Sequence, residues 1–150
     1  MVSRIMAIVA GLTLGSAAAV AQSSPHQDAL ISSYFSIWDQ DGNVTPDNVA
    51  KLYAPRLIYY GHAMTREALL NDKRAFIRRW PDRRYGVEPG SAAKSCDATQ
   101  DHCRLSATLV WRTRGSGRER MGRSRVTLDL ARSDGFLKIV REGAVTLGRE

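Results

Sequence analysis

The stretch that decides the fold is LLNDKRAFIRRWPDRRYGV, residues 69–87, because the spacing of its buried positions changes within it. In its first part six residues recur at helical spacing on one face, with the lysine stem along the edge of the core: Leu69, Leu70, Lys73, Phe76, Ile77 and Trp80. Thr65 is suited to cap this helix, and Pro81 ends it, since an interior proline would lose a hydrogen bond and clash with the preceding turn. Tyr85 and Val87 then begin a strand.

Downstream of this stretch, apolar residues keep a period of two, which is typical of strands with one buried face. Three further strands are predicted, around residues 105–111, 126–130 and 137–145. A Gly-Ser-Gly turn at 115–117 and an Asp-Gly turn at 134–135 separate them. The second half of the chain is therefore expected to be a run of antiparallel strands.

Upstream of the stretch the pattern is mostly helical, in two further segments. The first covers residues 24–38 and ends in the turn-forming residues 39–43. The second, residues 45–53, starts with a Thr-Pro pair suited to the N-cap and first turn, and Pro55 ends it. Residues 57–60 have the pattern of a short strand. Three N-terminal helices followed by a run of strands predict an α+β fold with the helices packed on one face of an antiparallel sheet.

The first 21 residues have the pattern of a cleavable export signal. Arg4 supplies a positive charge, residues 5–20 carry no charge and are mostly apolar, and residues 19–21 form the small-x-small pattern that signal peptidase accepts. A membrane anchor would need about 20 apolar residues, more than this run provides. We therefore expect residues 1–21 to be removed and residues 22–150 to form a single exported domain, periplasmic or secreted.

The chain is basic, with a net charge of +7, and removal of residues 1–21 would leave 21 basic and 15 acidic residues. Two short segments hold twelve of the cationic groups, six in residues 73–84 and six in residues 112–125. A basic surface favours anionic partners, and an exported chain rarely meets nucleic acid. We expect an anionic component of the cell envelope or a periplasmic protein as partner, and no nucleic acid; a homodimer through the sheet face is left open.

Cys96 and Cys103 are the only two cysteines, and an exported pair of this kind usually forms a disulfide. A metal site would recruit His102 or Asp101, yet this arrangement lacks four ligands at a recognised spacing. The Asp-rich turn within residues 39–50 lacks the glycine and glutamate positions of a calcium loop. The sequence therefore predicts a structural disulfide, no metal and no cofactor.

Three segments, together with the order of the elements, carry a family resemblance. They are Leu52-Tyr53-Ala54-Pro55, Tyr59-Tyr60-Gly61 and the run from Lys73 to Tyr85. They resemble the NTF2-like superfamily, which includes SnoaL-like and ketosteroid-isomerase-like cones, and look like an exported bacterial branch of it. The resemblance implies a curved sheet wrapped against a long helix, with a mostly apolar cavity at the cone mouth. Enzyme members use Asp, His or Tyr in that cavity for proton transfer, whereas other members are transport factors, adaptors or structural modules.

Candidate catalytic residues for such a cavity are few. His62 follows the short strand and could face the cavity mouth, although a surface imidazole is the commoner role. Tyr59 and Tyr60 are adjacent, so on a strand one ring would face in, either to donate to a ligand or to pack in the core. Glu142 either lies among the inward-pointing residues of the last strand or pairs across the sheet with Arg, and the ion pair is the expected outcome. The Asp residues of the 39–41 turn are interpreted as turn formers.

Candidate binding residues come from the two basic segments: Arg78, Arg79, Trp80, Arg83, Arg84, Arg118, Arg120 and Arg123. Guanidinium forks bind carboxylate or phosphate bidentately, whereas a helix-to-sheet corner and a hairpin tip with solvated charges are the structural alternatives. The first hypothesis is an exported non-catalytic binding module of the cell envelope that engages an anionic ligand or partner through a basic rim or the cone cavity. The alternative is an isomerase or dehydratase that works from the cavity without a metal. A deep pocket with converging Asp, His or Tyr side chains would favour the enzyme.

Overall fold

The computed structural model describes the backbone of residues 25–149 and the side chains of residues 31–148. The predicted export signal, residues 1–21, lies outside the described residues. The described helices are α1 (Pro25–Asp39), α2 (Pro46–Leu52) and α3 (Arg66–Arg79), with a short 3-10 helix at Asp41–Asn43. The strands are β1 (Tyr53–Tyr59), β2 (His62–Thr65), β3 (Asp82–Val87), β4 (Ala93–Cys96), β5 (His102–Gly115), β6 (Arg118–Ser133) and β7 (Phe136–Arg149). None of the described helices is both long and apolar enough to cross a membrane.

The strands form one curved sheet in the order β2-β1-β7-β6-β5-β3, and β4 pairs with β5 beside β3. Every pair is antiparallel except β1 with β7. The two long hairpins turn at Ser116-Gly117 and Asp134-Gly135, where all four residues have positive φ, as two-residue turns between twisted strands require. The predicted run of four antiparallel strands is confirmed. The strands β2 and β4 were not predicted, because four residues are too few to show an alternating pattern.

One hydrophobic core lies between the helices and the inner face of the sheet. The alternating strand residues supply one side of it: Leu105, Ala107, Leu109, Val126, Leu128, Leu130 and Ile139. The helices supply the other side, with α1 burying the largest residues: Ile31, Tyr34, Phe35, Ile37 and Trp38. The predicted α+β architecture, with helices packed on one sheet face, is therefore confirmed.

The helix ends follow the local sequence as predicted. The hydroxyl oxygens of Thr45 and Thr65 accept hydrogen bonds from the backbone N–H groups of Asn48 and Ala68, which are orphan donors at the helix starts. At the other end of α3, the Trp80 N–H closes the last turn before Pro81. These caps fix where α2 and α3 begin and where α3 stops.

The segment around Tyr53 differs from the prediction. It was expected to end the second helix, but α2 ends at Leu52 and β1 begins at Tyr53. The reason is Pro55, which restricts Ala54 to extended backbone and so ends the helix before it reaches the proline. Tyr53 consequently lies on the sheet, fully buried, rather than on a helix stripe.

Tyr60 also differs from the prediction. It lies in the β1–β2 turn with Gly61, and both residues have positive φ, 47° and 85°. Tyr60 therefore does not alternate with Tyr59 across the sheet. The two rings meet edge to face with centroids 4.6 Å apart, and both face the same cavity.

The predicted disulfide between Cys96 and Cys103 is present. The two residues are direct partners in the β4–β5 register, so the bond joins the ends of neighbouring strands. Closing so short a loop stabilises the fold by roughly 2–3 kcal/mol on the chain-entropy model.

Candidate functional site

A cavity of about 300 Å³ lies between the inner face of the sheet and helices α1 and α3. Nine of the eleven aromatic residues of the chain line it, supplied by α1, the β1–β2 hairpin, α3 and its C-cap, β3 and β5. Its size is at the lower end of the range for small-molecule pockets, and aromatic walls are typical of them. The inner face of this cone therefore leaves room for a small, mainly apolar molecule.

Glu142 on β7 is the buried acid of this cavity. It is 1% exposed and lines the cavity wall, whereas Tyr60 and Phe76 in the same lining are 48% and 38% exposed. The exposed aromatics mark the mouth, and Glu142 marks the inner end. Burying an ionisable group is costly unless other groups satisfy it, so its partners decide what it can do.

Two tyrosine hydroxyls hold the Glu142 carboxylate. Tyr34 on α1 donates to Oε1 at 2.7 Å, and Tyr53 on β1 donates to Oε2 at 2.5 Å. The expectation of an ion pair with arginine is wrong, since no Lys or Arg pairs with Glu142 among the side chains of residues 31–148. On Glu142 one lone pair of each oxygen is already used, and the carboxylate is held in a single orientation. Strict alternation from Ile139 would turn Glu142 outward, but an irregularity in the β6–β7 register between Ile139 and Arg141 turns it inward. Nothing in the sequence pointed to its tyrosine partners.

The tyrosines around Glu142 are held in their neutral form. Burial raises the pKa of Tyr34 and of Tyr53 well above the ordinary value of 10.0, and the nearby Glu142 charge raises both further. The pKa of Tyr59 and of Tyr60 is raised by the same two causes in the same order. These hydroxyls therefore act as hydrogen-bond donors, since they keep their protons throughout the neutral range.

The indole Nε1 of Trp38 is buried beside Tyr53 without a hydrogen bond of good geometry to any described group. The ring centroids of Trp38 and Tyr53 are 6.0 Å apart, and the indole slightly lowers the pKa of Tyr53 against the larger effects of burial and of Glu142. A polar N–H thus lies close to the pair of tyrosines that holds the acid.

Two cations lie at the mouth of the cavity. The Lys73 ammonium is 4.7 Å from the ring centroid of Trp38 and 4.8 Å from that of Tyr59. The Arg120 guanidinium stacks over Trp80 at 5.3 Å. Both arrangements are cation–π contacts, which stabilise a positive charge next to an aromatic face. Lys73 was expected only to run its stem along the core, and the sequence did not indicate that its charge would reach the cavity.

Arg83, one of the predicted binding residues, faces inward. It is 5% exposed and donates to the carbonyl oxygens of Trp38 and Trp80 at 3.2 and 2.7 Å and to the Asp41 carboxylate at 2.5 Å. It joins the end of α1, the turn that follows and the corner after α3. Arg83 therefore links three segments of the fold and offers no open fork to a surface ligand.

The other predicted binding residues are spread over the mouth and the outside. Trp80 is buried and lines the cavity with Arg120. Arg123 is paired with Glu88. The remaining four predicted binding residues are exposed: Arg78, Arg79, Arg84 and Arg118. The structure therefore brings only two of the eight to the cavity.

Of the three candidate catalytic residues, the structure brings two to the cavity. Tyr59 and Tyr60 line it, whereas His62 begins β2, is exposed and is not part of the lining. Within the described residues, no group of three or more His, Cys, Asp and Glu side chains lies close enough together to hold a metal ion. Among the described residues the acids that line the cavity are therefore the buried Glu142 and the exposed Asp72, and no imidazole lies in the lining.

Comparisons with known proteins identify the architecture. No protein-family model and no curated protein sequence matches the chain. The structure is similar to a protein with a cystatin-like fold from Caulobacter vibrioides, with a TM-score of 0.66 and 18% identity over 81% of this chain and 87% of that one. It is also similar to a candidate scytalone dehydratase from Novosphingobium aromaticivorans, with a TM-score of 0.67 and 11% identity over 82% and 83%.

A third similar structure is a type 2 hexachlorocyclohexane dehydrochlorinase, with a TM-score of 0.64 and 10% identity over 82% of this chain and 84% of that one. The chain has the NTF2-like fold. The predicted resemblance is thereby confirmed at the level of architecture, and the cavity described above is the interior of an NTF2-like cone. At these identities the likeness concerns the fold alone, so function has to be argued from Glu142 and its surroundings.

Proposed function

We propose that the cone binds a small, mainly apolar ring molecule and that Glu142 takes a proton from it, as a lyase or an isomerase does. The observation that carries this proposal is the buried carboxylate at the inner end of an aromatic cavity, held by two hydroxyls and by no cation among the side chains of residues 31–148. A structural acid in a basic protein would be expected to pair with one of the many arginines, as Asp101, Glu119 and Asp129 do in this chain.

The surroundings of Glu142 suit general base catalysis. Tyr34 and Tyr53 use one lone pair of each oxygen, which leaves the other lone pairs for a proton from the ligand. Because both hydroxyls come from rigid elements, the carboxylate does not have to reorient when the ligand binds. Two of the similar structures are a candidate dehydratase and a dehydrochlorinase, names that denote eliminations, and this supports the same class of chemistry.

The alternative of a non-catalytic module with a basic rim has less support in the structure. Three of the six arginines in residues 112–125 are paired with acids: Arg112 and Arg114 share Glu119, and Arg123 pairs with Glu88. Such pairs leave less positive charge for an anionic envelope component. The rim of the cavity is therefore a better candidate for ligand binding than the hairpin surface.

Export of the domain remains a proposal, supported by the leader pattern of residues 1–21 and by a disulfide of the kind found in oxidising compartments. Mass spectrometry of protein from the native envelope fraction should find a chain that begins at Gln22 and gains two hydrogens on reduction. An intact N-terminus with two free thiols would contradict it.

The proton-transfer proposal is tested by deuterium exchange, which needs no knowledge of the natural reaction. Wild-type protein is incubated in D₂O with 2-indanone and 2-tetralone, and deuterium uptake next to the carbonyl is followed by NMR. We expect exchange faster than in buffer, and a loss of about 10²–10⁴-fold in Glu142→Gln. Glu88→Gln, which removes an acid outside the cavity, is the control and should retain the rate. Exchange that is no faster than in buffer, or that is unchanged in Glu142→Gln, would contradict the proposal.

A further inference from the structure

Lys73 carries a charge that is stabilised but not neutralised. It projects from α3 into the cavity lining, and its ammonium lies between the Trp38 and Tyr59 rings at 4.7 and 4.8 Å. The electron-rich faces of both rings attract the ammonium charge. Lys73 therefore brings a positive charge and hydrogen-bond donors to the cavity lining.

The donors of this ammonium are open to a bound molecule. Lys73 forms no hydrogen bond and no ion pair with any described side chain or backbone group, and Asp72 beside it is exposed and does not pair with it. Lys51 and Lys138, in contrast, donate to side-chain or backbone oxygens. An ammonium has three N–H donors, and aromatic faces accept none of them in full hydrogen-bond geometry.

The charges of the cavity are separated along its depth. Glu142 is buried at the inner end, whereas Lys73 is half-buried and Arg120 is exposed over Trp80. Asp72, an exposed acid beside Lys73, also lines the cavity, so the two cations there outnumber one acid. An anionic group would be repelled by the inner carboxylate and attracted by the two cations, while a ring would be favoured along the aromatic walls. This polarity orients a ligand with its ring inward and its anionic oxygen at the mouth.

We propose that the ligand of this cone is a small ring compound with an anionic oxygen, a carboxylate or phenolate, which Lys73 binds while the ring faces Glu142. This inference rests on the proposed function, and it adds the chemical class of the substrate. Lys73 is then the residue that selects anionic over neutral ring compounds, and Arg120 is a second, more exposed contact for the same oxygen. We expect the attraction between the Lys73 ammonium and the anionic oxygen to increase the affinity for the ligand, because the two rings already hold the ammonium in place.

The test compares 2-naphthoate with its neutral counterpart 2-naphthalenemethanol by isothermal titration calorimetry. Wild type should bind the carboxylate about tenfold or more tightly than the alcohol, as expected for a charge-assisted hydrogen bond. Lys73→Met keeps the apolar stem and removes the charge, so it should lose this preference while its affinity for the alcohol changes by less than about threefold. Lys73→Arg should retain most of the preference. Lys94→Met, on β4 outside the cavity lining, is the control and should behave as wild type.

The outcomes separate the two proposals. If wild type binds both probes equally well, or if Lys73→Met retains the preference for the carboxylate, the anion-binding role of Lys73 is overturned while the ligand cavity stands. If wild type binds neither probe, both this inference and the proposed function fail.

Discussion

The Tyr34 hydroxyl donates a hydrogen bond of 2.7 Å to the Glu142 Oε1 atom, joining α1 to β7 across 108 positions of sequence. Together with Tyr53, which donates to the other oxygen, this contact fixes the buried carboxylate of the cavity between one helix and one strand. The same contact couples the stability of the fold to the geometry of the candidate site.

Tyr53→Phe is expected to reduce the free energy of unfolding by about 1.5–3 kcal/mol, because it leaves the buried Glu142 Oε2 without its donor. Urea denaturation followed by tryptophan fluorescence measures the change. Tyr60→Phe is the matched control, since the Tyr60 side chain is 48% exposed and its hydroxyl bonds no described group; it should change stability by less than about 0.5 kcal/mol. Equal losses in both variants would show that the Tyr53–Glu142 bond contributes nothing specific.

Stability is expected to fall at alkaline pH because of the tyrosines. Each of the five has a folded-state pKa above its ordinary value, with burial as the largest cause. Above about pH 10 the unfolded chain loses phenolic protons that the folded chain keeps, so the unfolded state becomes favoured as pH rises. Below about pH 10 both states hold these protons, and tyrosine makes no pH-dependent contribution.

Urea denaturation between about pH 9 and pH 11 tests this expectation. The free energy of unfolding should decline above pH 10, and it should decline less steeply in Tyr34→Phe, which has one such tyrosine fewer. The lysines titrate in the same range but are identical in both proteins. Identical slopes would mean that Tyr34 ionises in the folded protein as it does in the unfolded one.

Arg83→Met is expected to destabilise the protein by about 3 kcal/mol, because the carbonyl oxygens of Trp38 and Trp80 and the Asp41 carboxylate lose their donor. Arg83→Lys should recover only part of the loss, since one ammonium cannot reproduce the planar fork. Arg84→Met provides the control, as Arg84 is exposed on the same strand and should change stability by less than about 0.5 kcal/mol. Thermal and urea unfolding would both measure these differences, and similar losses at the two positions would contradict the role assigned to Arg83.

Gly115→Ala should displace the tip of the β5–β6 hairpin from the end of α3. A Cβ atom at Gly115 would overlap with the Arg79 carbonyl oxygen and crowd Pro81, so backbone rather than a flexible side chain has to move. We expect a loss of about 1–3 kcal/mol and a change in Trp80 fluorescence, because Arg120 stacks on Trp80 from the same hairpin. The control is Gly86→Ala on β3, where a Cβ would meet open space. It should leave the stability and the Trp80 fluorescence unchanged. A Gly115→Ala variant as stable as wild type would show that the hairpin tip does not depend on this close approach.

Much of the architecture could be predicted because it depends on local patterns. The change of period within residues 69–87 predicted α3 and β3, and the caps at Thr45 and Thr65 lie where the sequence indicated. The boundary at Tyr53 and the turn at Tyr60 were missed. At Tyr53 the helix ends early because Pro55 restricts the residue before it to extended backbone. At Tyr60 the local sequence does not indicate that a tyrosine adopts a positive φ.

The candidate site was much less predictable. Arginine-rich segments drew attention to charge on the surface, yet Arg83 is buried and half of the hairpin arginines are paired with acids. Glu142 was expected to form an ion pair because the chain is rich in arginine. The number of arginines, however, does not determine which of them lies close to a given acid. Its two tyrosine partners come from α1 and β1, which approach β7 only in the folded chain.

The sequence by itself determined the order of the three helices and of the main strands, together with the disulfide partners, since each depends on residue periodicity or on the absence of other choices. Only the tertiary structure decided that an open cavity remains inside the cone, that Tyr34 and Tyr53 meet at Glu142, and that Lys73 lies at its mouth between two rings. The physical reason is that periodicity assigns a residue to a face, whereas the partner it meets there depends on how distant elements pack.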